Sequence, residues 1–385
     1  MKEIYFDNAA TTRVRPEVIR LMDEVMGENY GNPSSRHILG VRAENYVKEA
    51  AQQIAATLKV KPQEIVFNSG GTEGNNMALI GTALARKGYG RHIISTGIEH
   101  AAVYKPLELL ESLGYEISIV GTDEKGHIDL DALRAMIRPD TILVSTMWVN
   151  NEIGAIEDIA SIGKLIKETN PRTYFHTDAI QAYGKLNLRP KDVNVDMLTV
   201  SAHKIHGPKG AGFIYINEKA HVEPTILGGG QQKDRRSGTE NVPGIAGTGL
   251  AAELYKKEHA AIEANMLEIK DRLIGHLLSM DGVTVNSEKG NLSAPHIVSA
   301  SFEGVRAEVL LHALEEKGIY VSSGSACSSN HPAISGTLRA IGVKKELLDS
   351  TLRFSFGIYN LPEEADETAA ALRELLPVLR RFRRY

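Results

Sequence analysis

One cysteine, Cys327, stands among 385 residues. A single thiol cannot close a disulfide within the chain, nor supply the clustered ligands of a zinc or iron–sulfur site. No HExxH or comparable metal-ligand spacing occurs, and the 13 histidines are scattered. No apolar run approaches the roughly 18 residues a membrane span needs. The formal net charge is only -4, so nothing calls for nucleic acid or an anionic membrane as a direct partner. The opening Met1-Lys-Glu-Ile-Tyr-Phe-Asp7 has no apolar signal core, which makes the cytoplasm the expected location. Internal repeats and low-complexity segments are absent too.

What is present is a long alternation of apolar strands and helices, with 42% of the residues hydrophobic. Strands are expected at 64–67, 92–96, 116–120, 142–147 and 174–177, with helices at 77–86, 103–113, 130–137 and 156–169 between them. Repeated β–α units of this kind predict an α/β protein with a mostly parallel, doubly wound sheet. A polar, glycine-rich loop over 228–241 leads into a long helix, about 242–280, and the remainder reads as a smaller α+β unit. The expected division is a large domain over 15–250 and a small one over 251–385 joined by residues 1–14.

Chemistry gathers where strands end, the place ligands occupy in such a sheet. Met197 to Val200 reads as a buried strand that breaks into Ser201, His203 and Lys204 before a Gly207-Pro208 turn. A lysine there is partly desolvated, which lowers its pKa and makes its amine nucleophilic toward a carbonyl, as in a Schiff base with pyridoxal phosphate. Such a site needs an acid for the pyridinium nitrogen, and Asp178 ends the strand 174–177. Taken alone, such an aspartate is more often a helix cap. Asn68-Ser-Gly-Gly-Thr-Glu-Gly-Asn-Asn76 is a glycine turn before a helix: on its own either a plain cap or an anion cup. Glu99-His100 and Asn150-Asn151-Glu152 come after two further strands. Cys327 lies among serines and glycines, a loop composition that suits an exposed thiol, and Arg353 starts the strand after it.

The ordered set of motifs resembles the cysteine desulfurases of the NifS/IscS type, within the fold type I pyridoxal phosphate enzymes. It comprises Asp7-Asn-Ala-Ala-Thr-Thr12, Ser69-Gly-Gly-Thr-Glu73, Glu99-His100, Val149-Asn-Asn-Glu-Ile-Gly154, Asp178 with Gln181, Ser201-Ala-His-Lys204, Arg236-Ser-Gly-Thr-Glu-Asn241, Ser323-Gly-Ser-Ala-Cys327 and Arg353-Phe-Ser355. The resemblance spans the chain and implies a role for each of these places. By that resemblance, Lys204 carries the cofactor and moves the substrate's Cα proton. His100 stacks on the ring and acts as acid or base. Asp178 and Gln181 meet the ring nitrogen and ring oxygen. Gly71, Thr72, Ser201 and His203 hold the phosphate, joined by Thr239 from the other subunit of a homodimer. Asn151 and Arg353 bind the carboxylate of L-cysteine, with Asn8 nearby. Cys327 takes the sulfur as a persulfide, releases alanine and passes the sulfur to an iron–sulfur scaffold or a tRNA-thiolating enzyme. Asn330-His-Pro-Ala-Ile-Ser-Gly336 departs from the usual loop sequence, which leaves the acceptor open. The rivals are a selenocysteine lyase or another pyridoxal phosphate enzyme on the same scaffold, and a non-catalytic sulfur carrier.

Overall fold

Neighbouring residues on the central strands divide between two apolar clusters. Ile93, Leu143 and Met197 pack into one, and Ile94, Val144 and Leu198 into the other. Successive side chains of a strand point to opposite faces, so the sheet they form is covered on both sides. The structure, a computed structural model, describes residues 3–323 and 335–382. Its strands are β1 (Ile4–Tyr5), β2 (Ile65–Asn68), β3 (His92–Thr96), β4 (Glu116–Val120), β5 (Thr141–Met147), β6 (Tyr174–Asp178), β7 (Met197–Ser201), β8 (Gly212–Ile216), β9 (Val283–Val285), β10 (Ile297–Phe302), β11 (Ile319–Tyr320), β12 (Ser322–Ser323) and β13 (Thr351–Ser355).

The main sheet has the order β2-β8-β7-β6-β5-β3-β4. Only β8 runs against the others, being antiparallel to both β2 and β7. Every residue of β5 and of β7 is buried, as expected of strands covered on both faces. Helices α1 (Pro16–Gly27), α2 (Ile38–Leu58), α3 (Gly71–Arg86), α4 (Ala101–Ser112), α5 (Leu130–Met136) and α6 (Ile159–Thr169) precede the long α7 (Val242–Leu278). α3 and α4 supply Met77, Leu79, Val103 and Leu107 to one cluster, and α6 supplies Ile159, Ile162 and Ile166 to the other. The α/β fold with a mostly parallel sheet is thus what the alternation predicted. α7 runs unbroken through residue 250, the expected division. Among the described residues no helix is long and apolar enough to cross a membrane.

A second, antiparallel sheet has the order β12-β13-β10-β9. The amino-terminal segment ties it to the main sheet: β1 and β11 form a two-stranded parallel sheet, Asp7 bridges to Ser355 at the end of β13, and the Thr12 N–H donates to the His203 carbonyl just after β7. Two helix starts differ from the sequence expectation by three residues or more. α6 begins at Ile159 rather than Ile156, because Asp158 caps it by accepting the Ser161 N–H. α3 begins at Gly71 rather than Met77, so the polar stretch Gly71 to Asn76 is its first turn and a half. Gly70 precedes it at φ +139°, a backbone setting side chains rarely adopt.

Candidate active site

The carboxyl ends of β3, β5, β6 and β7 and the start of α3 surround one cavity of about 270 Å³. Lys204 reaches it from the 3₁₀ turn Ala202–Lys204 after β7. Its Nζ donates to the carbonyls of Ala9 and Ala10, at 2.5 and 2.7 Å. Those two carbonyls were not foreseen as partners. They belong to the amino-terminal segment, which only the fold brings to the strand ends.

Asp178 ends β6 and lies on the cavity wall, 5% exposed. Asn75 Nδ2 donates to its Oδ2 at 2.7 Å, and the Ile180 N–H to its Oδ1 at 3.0 Å. Burial pushes its carboxyl above the usual range, opposed by these two donors and by the charges of His100 and Lys204. Asn75 was missed at the sequence level. The signal was its spacing, four residues after Gly71 on what proved to be one helix face.

His100 caps α4: its Nδ1 accepts the Ala102 N–H at 3.1 Å, which puts the neutral ring's proton on Nε2. Gln181 donates through Nε2 to the Ala9 carbonyl at 2.9 Å, and its Oε1 faces His296 Nε2 at 3.1 Å. Arg353 is buried on β13. Its Nη1 donates to the Asn151 carbonyl at 2.9 Å and its Nη2 pairs with Asp7 at 3.0 Å. Its Nε has no acceptor among the described residues.

Beside this cavity a second concavity opens over the start of α3, lined by Ser69, Gly71, Thr72, Ser201, His203 and Lys209. No side chain caps α3, so its first N–H groups and helix dipole face this space. A Cβ at Gly71 would strike Ile180. Burial and nearby lysine charge hold His203 down to about 4. It is therefore a neutral ring, with Nδ1 3.1 Å from the Thr11 hydroxyl. Backbone donors, hydroxyls and a lysine together make an oxyanion cup.

The structure thus brings Gly71, Thr72, His100, Asn151, Asp178, Gln181, Ser201, His203, Lys204 and Arg353 to one place. Asn8 does not line it: its amide donates to Tyr5 O, Ser355 O and Asn360 Oδ1 and so holds the fold together. Thr239 is exposed and away from this cavity. Cys327 lies outside the described residues.

A class-V aminotransferase profile matches residues 4–367. The chain belongs to that family. Enzymes of the class-V family depend on pyridoxal phosphate, and the donor set fits the group: a lysine, a buried carboxylate and an oxyanion cup lie around one cavity. The chain is similar to the cysteine desulfurase IscS of Methanosarcina thermophila, at 42% identity over 98% of this chain and 93% of that protein. Among solved structures, a NifS-like protein aligns with a TM-score of 0.93 and 35% identity, over 98% of this chain and all of that one (100%). SspA in complex with cysteine aligns with a TM-score of 0.81 and 33% identity, over 94% of this chain and 100% of the other.

Glu99, beside His100, is buried next to the cavity-lining Met147. Thr96 Oγ1 and the Met147 N–H both donate to its Oε1, at 2.7 and 2.8 Å, while Oε2 has no partner among the described residues. Burial pushes its acid from 4.5 up to about 8. Above pH 4.5 the unfolded chain gives up this proton while the folded one keeps it until about 8. Stability from this group therefore falls as pH rises across that window and is level above it. Glu99→Gln removes the dependence. Relative to it, the wild type is expected to lose on the order of a few kcal/mol in urea unfolding between pH 5 and pH 8. An equal gap between the two proteins at both pH values would show that Glu99 ionises normally.

Proposed function

We propose that this protein is a pyridoxal phosphate-dependent cysteine desulfurase, converting L-cysteine to L-alanine and passing the sulfur on as a persulfide on Cys327. The observation that carries the reading is the meeting of Lys204, Asp178 and Arg353 on one cavity beside an oxyanion cup. Full-length similarity to proteins named cysteine desulfurase supports it.

When bound, pyridoxal phosphate supplies an electron sink for carbanion chemistry at the substrate's Cα. The chain's residues set the terms. The cup of Gly71, Thr72, Ser201 and His203 would take the phosphate. Asp178, fixed by Asn75 and the Ile180 N–H, would hold a proton on the ring nitrogen, and Gln181 would meet the ring oxygen. Lys204 would hold the cofactor and serve as the base for the Cα proton. Arg353 and Asn151, both on the cavity wall, would meet the substrate carboxylate. His100 presents Nε2 and serves as acid or base. The Cys327 thiolate attacks the substrate's sulfur: an S–S bond forms, the C–S bond breaks, and the carbon gains a proton and leaves as alanine.

The dimer belongs to the same proposal. The loop carrying Thr239 is pinned to its own subunit, since Arg236 pairs with Glu73 at 2.8 Å and Gln232 makes two hydrogen bonds with the Phe67 backbone. Thr239 itself stays exposed, as suits a residue meant for a second copy's phosphate. Exposed Met26, Tyr30, Ile38 and Leu227 are apolar surface such a copy would cover. A thiol nucleophile must be kept reduced, which suits the cytoplasm. An iron–sulfur scaffold or a tRNA-thiolating enzyme is the sulfur acceptor.

The test is to incubate the pyridoxal phosphate-loaded protein with L-cysteine and map the Cys327 peptide by mass spectrometry without reductant. One added sulfur on Cys327, with alanine in solution, is the expected result. Alanine with an unmodified Cys327 would make the enzyme a lyase of the selenocysteine-lyase kind. Neither product from a loaded protein would leave another reaction on this scaffold.

A further inference from the structure

Lys185 is only 4% exposed. Its Nζ makes one hydrogen bond among the described residues, to the backbone carbonyl of Lys204 at 2.5 Å. No carboxylate pairs with it there. The nearest compensation is the face of Tyr255 on α7, with Nζ 5.8 Å from the ring centroid. A buried ammonium without a counter-ion is costly, and a neutral donor would bind a carbonyl as well. The neighbourhood is a ring of bases: Lys204 and His203 on the 3₁₀ turn, His206 after it, and His296 ahead of β10.

The turn shows what the bond does. Its first carbonyl, of Ala202, accepts the N–H groups of Ile205 and Gly207, both at 3.0 Å. Its second, of His203, accepts the Thr12 N–H and hydroxyl, both at 2.9 Å. Its third, of Lys204, accepts from Lys185. Each peptide of the turn that aims Lys204 is therefore tied, and the tie on Lys204 itself is a second amine.

We propose that Lys185 is a positioning residue that fixes the Lys204 peptide and repels positive charge from the Lys204 amine. The role presupposes the pyridoxal phosphate site on Lys204. The electrostatic half follows from the placement: the Lys185 amine is buried on the Lys204 peptide with no carboxylate paired to it among the described residues, and burial and the Lys204 charge bring it down to about 7. Each amine therefore opposes a proton on the other.

The test is a spectrophotometric pH titration of the visible absorbance of the loaded holoenzyme. In Lys185→Met the midpoint is expected to rise by a few tenths of a pH unit, because Lys185, held down to about 7, carries only part of a positive charge there. In Lys185→Arg, which stays charged at every pH, it is expected to fall below the wild-type value. Borohydride trapping of the cofactor on Lys204 shows that both variants are loaded. Midpoints unmoved in loaded variants overturn the inference. If Lys185→Met does not fold, the direction of the Lys185→Arg shift decides, and a rise or no change overturns it. A wild-type protein that takes up no pyridoxal phosphate overturns the cofactor reading and this inference with it.

Discussion

Lys204→Ala is expected to take up pyridoxal phosphate without a covalent bond and to turn over L-cysteine on the order of 10³-fold more slowly than the wild type. Two losses combine: the amine that holds the cofactor and the base that moves the Cα proton. Folding is expected to survive, because the turn around Lys204 is tied through backbone atoms and the side chain is only half-buried. What disappears is two hydrogen bonds, to the Ala9 and Ala10 carbonyls, a cost of about 2 kcal/mol. Lys204→Arg is expected to be no better than alanine, since a guanidinium keeps the charge and hydrogen bonds but cannot add to an aldehyde. Borohydride reduction with peptide mapping reads the covalent bond, and steady-state kinetics the rate. An arginine variant that recovers most of the rate would move the chemistry to another residue.

Asp178→Asn comes second in size, with kcat expected to fall on the order of 10²- to 10³-fold. An amide of the same shape carries no charge to hold a proton on the ring nitrogen. It also fits badly: Asn75 Nδ2 and the Ile180 N–H both donate toward residue 178, and an amide can accept on one side only. The loss should fall on kcat more than on KM, because Arg353 and Asn151 lie elsewhere on the cavity. Asn75→Ala, which leaves the carboxylate and removes one donor, is expected to show a smaller loss of the same kind. A kcat for Asp178→Asn within tenfold of the wild type would sink this role.

The main sheet was legible because buried parallel strands are continuous apolar runs, and the strand-end residues came with it. Lys204, Asp178 and Asn151 announced themselves by breaking such runs. The start of α3 was not legible. Gly71 to Asn76 has neither apolar period nor capping side chain, and its helix is held by contacts such as Asn75 with Asp178 and Glu73 with the Ser69 N–H. His296, 115 residues from Gln181, has its part only through tertiary contact. Asn8 misled for the opposite reason: its motif neighbours Ala9 and Ala10 meet Lys204 through carbonyls, while its own amide is used up by Tyr5, Ser355 and Asn360. Arg353 was placed correctly near the cleft, but its pairing with Asp7 depends on β1 lying beside β11.

That parallel pairing also sets an order of events during synthesis. Residues 4–12 leave the ribosome well before their partners, which are Lys204, the β11 strand at Ile319–Tyr320, and Arg353 and Ser355 on β13. The large sheet can form while the strand that must lie alongside Asp7 is still untranslated, because its own pairings are closer in the chain. A nascent chain halted short of Arg353 would carry its lysine, its aspartate and its glycine cup, but not the arginine held beside them.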